Sequence, residues 1–334
     1  MVNLMLRGES MQKKIFLFFI CIFFFPISVF AYSNRIAIGG ETIGIEVHSE
    51  GIYVVGFYEV DGKKIAEEAG FQVGDVILEI DHQKTFEVKD FDDILLEERE
   101  YVFTVLRKQK YVDIFLDLKS DNHVLQTGLY VKDTIQGIGT LSYIDPETKV
   151  FGSLGHEILE TSSYSKFLLK QGEIYKAEVS SIKKSVDGSA GEKNAKIDKN
   201  EKVGSIYRNE VDGIFGKYDL EVSDRELYTV ASKSEIHKGD AHIRTVIKDN
   251  DIKECLIRIL SIDEGSDTKN ILFEITDESF IRKTGGIIQG MSGSPIIQDG
   301  KIIGVVNYVI VDDTKKGYGI FIETMLEEGD KIIS

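Results

Sequence analysis

Gly290-Met291-Ser292-Gly293-Ser294-Pro295 places a serine at the apex of a short turn with a glycine on each side. Glycine at 290 lets the backbone bend so that its N–H and that of Ser292 point toward one spot, where an oxyanion could form during acyl transfer. Glycine at 293 keeps the space beside the hydroxyl open. Ser292 is therefore a candidate nucleophile, with the N–H groups of Gly290 and Ser292 as its oxyanion hole. A glycine-rich approach to a hairpin is the alternative interpretation.

The residues after the turn predict two short strands joined at Asp299-Gly300, a dipeptide typical of hairpins. The whole pattern resembles the active-serine loop of chymotrypsin-like peptidases. A serine needs a base to take its proton, and usually an acid that orients this base.

His156 is the best candidate base, because it follows a strand pattern and a glycine-containing turn and precedes the serine in the chain. Asp277, at the end of an apolar strand, is the candidate acid. Other carboxylates remain open for that role: Glu278, Asp145, Asp187, Asp212 and Asp219. The remaining histidines fit the role of base less well: His48, His82, His123, His237 and His242.

The N-terminus predicts an export signal. Lys13 and Lys14 precede an apolar run from Ile15 to Phe30 without charged residues, and Ala31 follows at a plausible cleavage site. Residues 1–31 are therefore expected to be a signal peptide or an uncleaved membrane anchor, and Met11 is an alternative start.

Charge and cysteine content narrow the range of partners. The net charge of −16 argues against a nucleic-acid partner, since no block rich in Lys or Arg appears. Cys21 lies in the predicted signal, so Cys255 is alone in the exported part and is expected to be buried. No His or Cys pair has zinc-site spacing, and neither a metal nor a cofactor is expected.

Residues 36–118 are predicted to form an α+β PDZ domain. The Ile43-Gly44-Ile45 segment resembles the carboxylate-binding loop of such domains, in which backbone N–H groups hold a peptide terminus. A second and more specific signal runs from Ala69-Gly70 through Gly74-Asp75 into an apolar strand, with Gly70 ending a short helix. A domain that packs in cis and binds nothing is the alternative.

The rest of the chain, residues 123–334, has strand patterns throughout and predicts an all-β domain. Residues 185–202 are rich in Ser, Gly, Asn and charged residues, and we expect an exposed loop there. The predicted fold class is thus mainly β: a signal or anchor, a PDZ domain, and a chymotrypsin-like double β-barrel.

Three segments together resemble the stage IV sporulation protein B peptidase family: Phe151-Gly152-Ser153-Leu154-Gly155-His156, the stretch 284–297, and Gly317-Tyr318-Gly319-Ile320-Phe321-Ile322-Glu323. The resemblance implies a double-barrel serine endopeptidase of spore-forming Firmicutes, acting between the mother-cell and forespore membranes. It places the nucleophile, base and acid on Ser292, His156 and Asp277.

Members of this family cleave themselves near the N-terminus and then cut a membrane-held regulator of an intramembrane metalloprotease, which releases a late sigma factor. The expected partners are therefore such a regulator and the chain's own N-terminal region, close to a membrane. Asn307-Tyr308, Glu157 and Glu160 depart from the family pattern, which leaves a paralogue with another target open. Two other functions remain as alternatives: a PDZ scaffold with a silent protease-like domain, and a quality-control protease of the export compartment.

Overall fold

Long antiparallel strands dominate residues 32–121 and 124–333, the parts of the chain that the computed structural model describes. The predicted mainly β fold is confirmed. The strands are β1 Arg35–Ile38, β2 Thr42–Phe57, β3 Val76–Ile80, β4 Gln83–Lys84, β5 Glu100–Arg107, β6 Lys110–Asp117, β7 Lys119–Asp121, β8 Val124–Gln126, β9 Leu129–Ile144, β10 Val150–Ser153, β11 Leu159–Glu160, β12 Ser165–Lys166, β13 Leu169–Lys183, β14 Gly191–Glu210, β15 Gly213–Tyr218, β16 Leu227–Val230, β17 Gly239–Val246, β18 Ile252–Ile262, β19 Ile271–Ile275, β20 Ile288–Gln289, β21 Pro295–Gln298, β22 Lys301–Val309 and β23 Lys316–Phe321. The helices are α1 Ile65–Ala69, α2 Asp90–Ile94, α3 Glu278–Thr284 and α4 Ile322–Asp330, with a 3₁₀ turn at Lys233–Glu235.

The first barrel is a closed ring of antiparallel strands in the order β9, β2, β13, β14, β15 and β10, with β10 pairing back onto β9. Inward-pointing apolar residues of these strands fill the barrel. Its core includes Leu141, Phe151, Ile174 and Ile206.

The second barrel is a ring of β17, β18, β19, β23, β22 and β21, with β21 pairing back onto β17. Its core includes Ile257, Phe273 and Ile296. Asp299 and Gly300 both have positive φ at the β21–β22 turn, so the predicted Asp-Gly hairpin is confirmed. Tyr32–Ser334 form one compact unit that contains both barrels.

An inserted module, residues 58–128, stands between β2 and β9. These two strands are continuous: their barrel ends pair at 42–48 with 134–140, and their outer ends pair at 53–57 with 129–132. Within the module, β3, β5 and β6 extend the sheet from β2 over a core that includes Phe71 and Phe103. Helix α1 ends at Gly70, which has a φ of 104°, as the sequence predicted.

The predicted carboxylate-binding loop at Ile43, Gly44 and Ile45 is wrong for this structure. These residues lie inside β2, where they pair with residues 137–139 of β9 on one edge and 174–176 of β13 on the other. Because both edges of the strand are paired, its N–H groups cannot converge on a peptide terminus. Residues 36–48, placed in the PDZ domain from the sequence, contribute strands that pair with those of residues 123–334.

The exposed loop expected at residues 185–202 is also corrected, because most of it is the long strand β14, paired with β13. The predicted export signal, residues 1–31, and His123 lie outside the described residues. None of the helices between residues 32 and 333 is long and apolar enough to cross a membrane.

Candidate active site

The nucleophile turn, residues 290–294, connects β20 to β21 in the second barrel. Gly290 and Gly293 have φ values of 92° and 90°, a region that other residues rarely adopt. A Cβ on Gly293 would lie 2.2 Å from the carbonyl oxygen of Thr140, so this position accepts only glycine. Thr140, on β9 of the first barrel, also donates its N–H to the carbonyl of Ser292 at 3.1 Å. The turn is thus held by both barrels.

Backbone N–H groups in the turn divide into paired and unpaired ones. Met291 and Gly293 donate to the carbonyls of Ile288 and Val306, at 3.1 and 2.7 Å. In the described part of the chain, the N–H groups of Gly290 and Ser292 have no acceptor. These are the two groups predicted to form the oxyanion hole, and a substrate carbonyl oxygen could accept from both.

His156 follows β10 of the first barrel, after a turn in which Leu154 and Gly155 both have positive φ. Its Nδ1 lies 2.8 Å from the carbonyl oxygen of Glu157, and its ring stacks on Tyr308 with the centroids 5.7 Å apart. Burial lowers the pKa of His156 below its ordinary value, and the Glu157 carbonyl raises it only in part. The ring is therefore neutral at pH 7, as a general base must be.

A cavity of about 480 Å³ brings His156, Ser292 and Gly290 together between the two barrels. Its other walls are mostly aliphatic and come from both barrels. The Ser292 hydroxyl donates to the carbonyl of Asn307 at 3.2 Å and not to His156. Catalytic hydrogen bonds in free enzymes often form only when substrate binds, so the arrangement suits a serine and a base that engage during reaction.

Asp277 is not brought to His156 by the structure. It is the N-cap of α3, and its carboxylate accepts from the N–H groups of Ser279 and Phe280 at 2.8 and 3.0 Å. Burial raises the pKa of Asp277, but the hydrogen bonds from Phe280 and Ser279 outweigh it and leave the pKa below its ordinary value. Among the described residues no carboxylate bonds to His156, so the predicted acid is replaced here by the Glu157 carbonyl.

Substitutions at Asp277 are expected to change stability and not catalysis. Asp277→Ala removes the cap and should destabilise the fold by about 1 kcal/mol, whereas Asp277→Asn retains a capping side chain. Both variants should react with a serine-directed fluorophosphonate at close to the wild-type rate. Thermal unfolding and labelling kinetics measure the two effects separately. Loss of about 10⁴ in the labelling rate of Asp277→Asn would instead mark Asp277 as the triad acid.

Asn209 holds the loop that carries His156, a role that the sequence did not reveal. It is buried on β14, and its Oδ1 accepts from the N–H of Ile158 at 2.7 Å. Its Nδ2 donates to the carbonyls of Ile158 and Phe167, at 3.0 and 3.1 Å. Asparagine is uncommon inside strands, and this was the only sequence signal at this position.

Asn307 and Tyr308, two of the departures from the family pattern, both lie at the cavity. Asn307 is buried, and its side-chain Nδ2 donates to the carbonyl of Thr268 at 3.0 Å. Its main-chain carbonyl accepts from the Ser292 hydroxyl. Tyr308 covers one face of the His156 ring. Both residues therefore contact the candidate nucleophile or the candidate base directly.

Glu160, a further departure, anchors the far end of the His156 loop. Its fully buried carboxylate pairs with Lys132 on β9 at 2.7 Å and accepts from the N–H groups of Ser162 and Ser163. Burial raises the pKa of Glu160, but Lys132 and the two serines outweigh it and bring the pKa to about 2.

Glu46, His48 and Glu173 are the described side chains placed closely enough to share a metal ion, with ligand atoms within 4.8 Å of one another. Glu46 also accepts from Lys199 and Gln136, and His48 Nδ1 lies 3.1 Å from the Thr134 hydroxyl. None of the three lines the Ser292 cavity. Cys255 is buried, as predicted, and burial raises the pKa of its thiol.

Comparison with known proteins gives one family match. The family model described as SpoIVB peptidase S55 matches residues 123–326. The chain matches no curated protein. Among solved structures, the inactive form of the Rv3671c protease from M. tuberculosis is 14% identical, with a TM-score of 0.32 over 59% of this chain and 85% of that one. The HtrA-type protease AlgW with a tripeptide is 13% identical, with a TM-score of 0.36 over 60% of this chain and 56% of that one.

Proposed function

The chain belongs to the SpoIVB S55 serine peptidase family, and on that premise we propose that this serine peptidase is an exported endopeptidase of sporulation. One observation carries the proposal for its chemistry. A serine, a neutral histidine and two unpaired N–H groups, supplied by both barrels, face one cavity. These are the groups that acyl transfer from a peptide bond requires.

In the proposed mechanism, Ser292 turns from the Asn307 carbonyl toward His156. The Nδ1–H of His156 donates to the Glu157 carbonyl, which leaves the lone pair of Nε2 free to take the serine proton. The Ser292 oxygen then attacks the substrate carbonyl, and its oxyanion accepts from the N–H groups of Gly290 and Ser292. His156 returns the proton to the leaving amine, and water hydrolyses the acyl-enzyme by the same steps.

The Glu157 carbonyl takes the place that a carboxylate has in a catalytic triad. It orients the imidazole ring of His156, but because it carries no net charge it stabilises the imidazolium less than a carboxylate does. Asp277 occupies the position that the family resemblance assigns to the acid, yet it caps α3. We therefore propose that Ser292 and His156 act as a pair, with Asn209 and Glu157 keeping the base in place through the backbone of its loop.

For substrate and location, we propose cleavage of a membrane-held regulator in the space between the forespore and mother-cell membranes. The apolar run from Ile15 to Phe30 supports export, and the family match supports a sporulation role. Cleavage of the regulator would release an intramembrane protease and thereby activate a late sigma factor. The chain's own N-terminal region would be the first substrate.

The inserted module is proposed to be a PDZ domain that binds a peptide terminus. The helix ending at Gly70 and the separate core around Phe103 support this assignment. Because residues 43–45 belong to the barrel, the ligand would need another edge. A cavity of about 440 Å³ between α2 and residues 125–127 is the surface that we assign to it.

The test is mass spectrometry of the purified wild type beside Ser292→Ala, each incubated alone. The wild type should lose an N-terminal peptide and gain a new terminus before Arg35, since a cut farther along would remove β1, which pairs with β16 and with β9 of the first barrel. Ser292→Ala should keep its full mass. Equal processing in both proteins would refute self-cleavage, and the same pair incubated with a membrane-held regulator tests the signalling role.

A further inference from the structure

Four polar side chains lie buried beneath the nucleophile turn, and the mechanism above does not use them. We name them the hydroxyl–lysine cluster: Thr140, Lys193, Thr245 and Ser294. Lys193 is 5% exposed and the three hydroxyl residues are 0% exposed. They come from β9, β14, β17 and the turn itself, so the cluster joins both barrels to the loop that carries Ser292.

The hydrogen bonds of the cluster end on the turn. The Lys193 amine donates to the hydroxyls of Thr245 and Thr140, at 3.1 and 3.4 Å. The Ser294 hydroxyl lies 3.0 and 3.4 Å from the same two oxygens, within reach of a hydrogen bond to either. Thr140 in turn donates its own proton to the carbonyl oxygen of Gly290 at 2.7 Å.

The number of acceptors suits an uncharged amine. A neutral amine has two N–H bonds, and Lys193 has two hydroxyl acceptors, whereas an ammonium group would leave a third N–H without a partner. The groups that face it from β9, β17 and the turn are hydroxyls and a glycine, none of which titrates near neutral pH. No carboxylate pairs with it in the described chain, and burial lowers its pKa to about 7.

We propose that Lys193 is a positioning residue for the oxyanion hole. The Lys193 amine donates to Thr140 Oγ1, so this oxygen acts as an acceptor for Lys193 while its own proton is donated to the Gly290 carbonyl. The hydrogen bond to the Gly290 carbonyl limits rotation of the backbone at Gly290. That restraint matters because glycine has wide backbone freedom, and the Gly290 N–H must point into the cavity. The methylene groups of Lys193 also pack against Gly290, where an added Cβ would lie 3.1 Å away.

The experiment measures the second-order rate of labelling by a small fluorophosphonate between pH 5.5 and 9. In this reaction Ser292 forms the O–P bond, fluoride leaves, His156 takes the proton, and the phosphonyl oxygen enters the oxyanion hole. Lys193→Met keeps the volume and removes the amine, and it should label about 10- to 100-fold more slowly at pH 8. The wild-type rate should also fall as the pH drops below about 7, because a charged Lys193 has a third N–H without an acceptor in the cluster and is expected to leave it for solvent. Protonation of His156 slows both proteins at lower pH, so the contribution of Lys193 is the difference between the two pH profiles.

Lys196→Met, on the exposed face of the same strand, is the matched control and should label like the wild type. Thr140→Val should slow labelling as Lys193→Met does, and the double variant should be no slower than the slower single variant. If Lys193→Met does not fold, Thr245→Val carries the test and should slow labelling about fivefold or more. The proposal is overturned if Lys193→Met labels at the wild-type rate and with the wild-type pH profile. Where Thr245→Val is the substitute, the same result in that variant overturns it. The Lys193 proposal rests on the proposed reactivity of Ser292 alone, so the labelling result would not change if the proposed sporulation role were wrong.

Discussion

Ser292→Ala is expected to lower peptide hydrolysis by about 10⁶-fold, and His156→Ala by a similar factor. In the proposed mechanism the serine supplies the atom that becomes acylated and the histidine acts as its base, and both residues line the same cavity. Because a serine and a histidine that act as one unit lose the same reaction path when either is removed, the double variant should be no slower than either single variant. Steady-state hydrolysis of an unstructured protein such as casein, with labelling by a fluorophosphonate, measures both losses.

Matched controls are available at exposed residues that do not line the cavity. Ser234→Ala and His237→Ala alter exposed residues away from the cavity, and both should retain wild-type activity. Equal thermal unfolding of all four variants would exclude a loss of fold as the cause. Labelling that persisted in Ser292→Ala would mean that another residue is the nucleophile, and the proposed mechanism would then be wrong.

Glu160→Gln is expected to lower the free energy of unfolding at pH 7 by about 3 kcal/mol, because it breaks a buried ion pair and leaves Lys132 without its partner. The pKa of Glu160 is about 2 in the folded chain against 4.5 for the free side chain. Its contribution is therefore complete above pH 4.5 and is lost as the pH falls toward 2. The difference between wild type and variant should shrink over that window.

Urea unfolding at pH 7, 4.5 and 3 measures this difference. Glu221→Gln is the matched control, since Glu221 pairs with Lys149 at 2.8 Å but is 84% exposed, and such surface pairs contribute little. A Glu160→Gln variant as stable as Glu221→Gln at pH 7 would contradict the assigned role. Slower fluorophosphonate labelling of folded Glu160→Gln would show that the anchor also orders the His156 loop.

Several features could be predicted because local sequence determines them. The turn around Ser292 needs glycine at 290 and 293, and both glycines have positive φ. The Asp299-Gly300 hairpin and the helix end at Gly70 follow from the same backbone preference. His156 was identified by its place after a strand and a glycine turn, and it lies in the cavity with Ser292.

Other features depend on partners far away in the chain. The apolar-Gly-apolar pattern at Ile43-Gly44-Ile45 suits a loop and a strand equally, and only β9 and β13 decide between them. In β14, the middle of the strand is exposed, so its polar residues hid the strand pattern. Asp277 has a sequence that suits both an N-cap and a catalytic acid. Nothing local shows that Lys193 would be buried beside Thr140.

The minimal catalytic fragment is set by β2, which is a strand of the first barrel, and by β1, which pairs with β9 of that barrel. A fragment of residues 123–326, the span that matches the family, would lack the strand that lies between β9 and β13 in the closed ring. The barrel would open at that gap and expose two unpaired strand edges, which favour aggregation. An active fragment should therefore begin no later than Arg35 and include the inserted module, which connects two strands of one barrel.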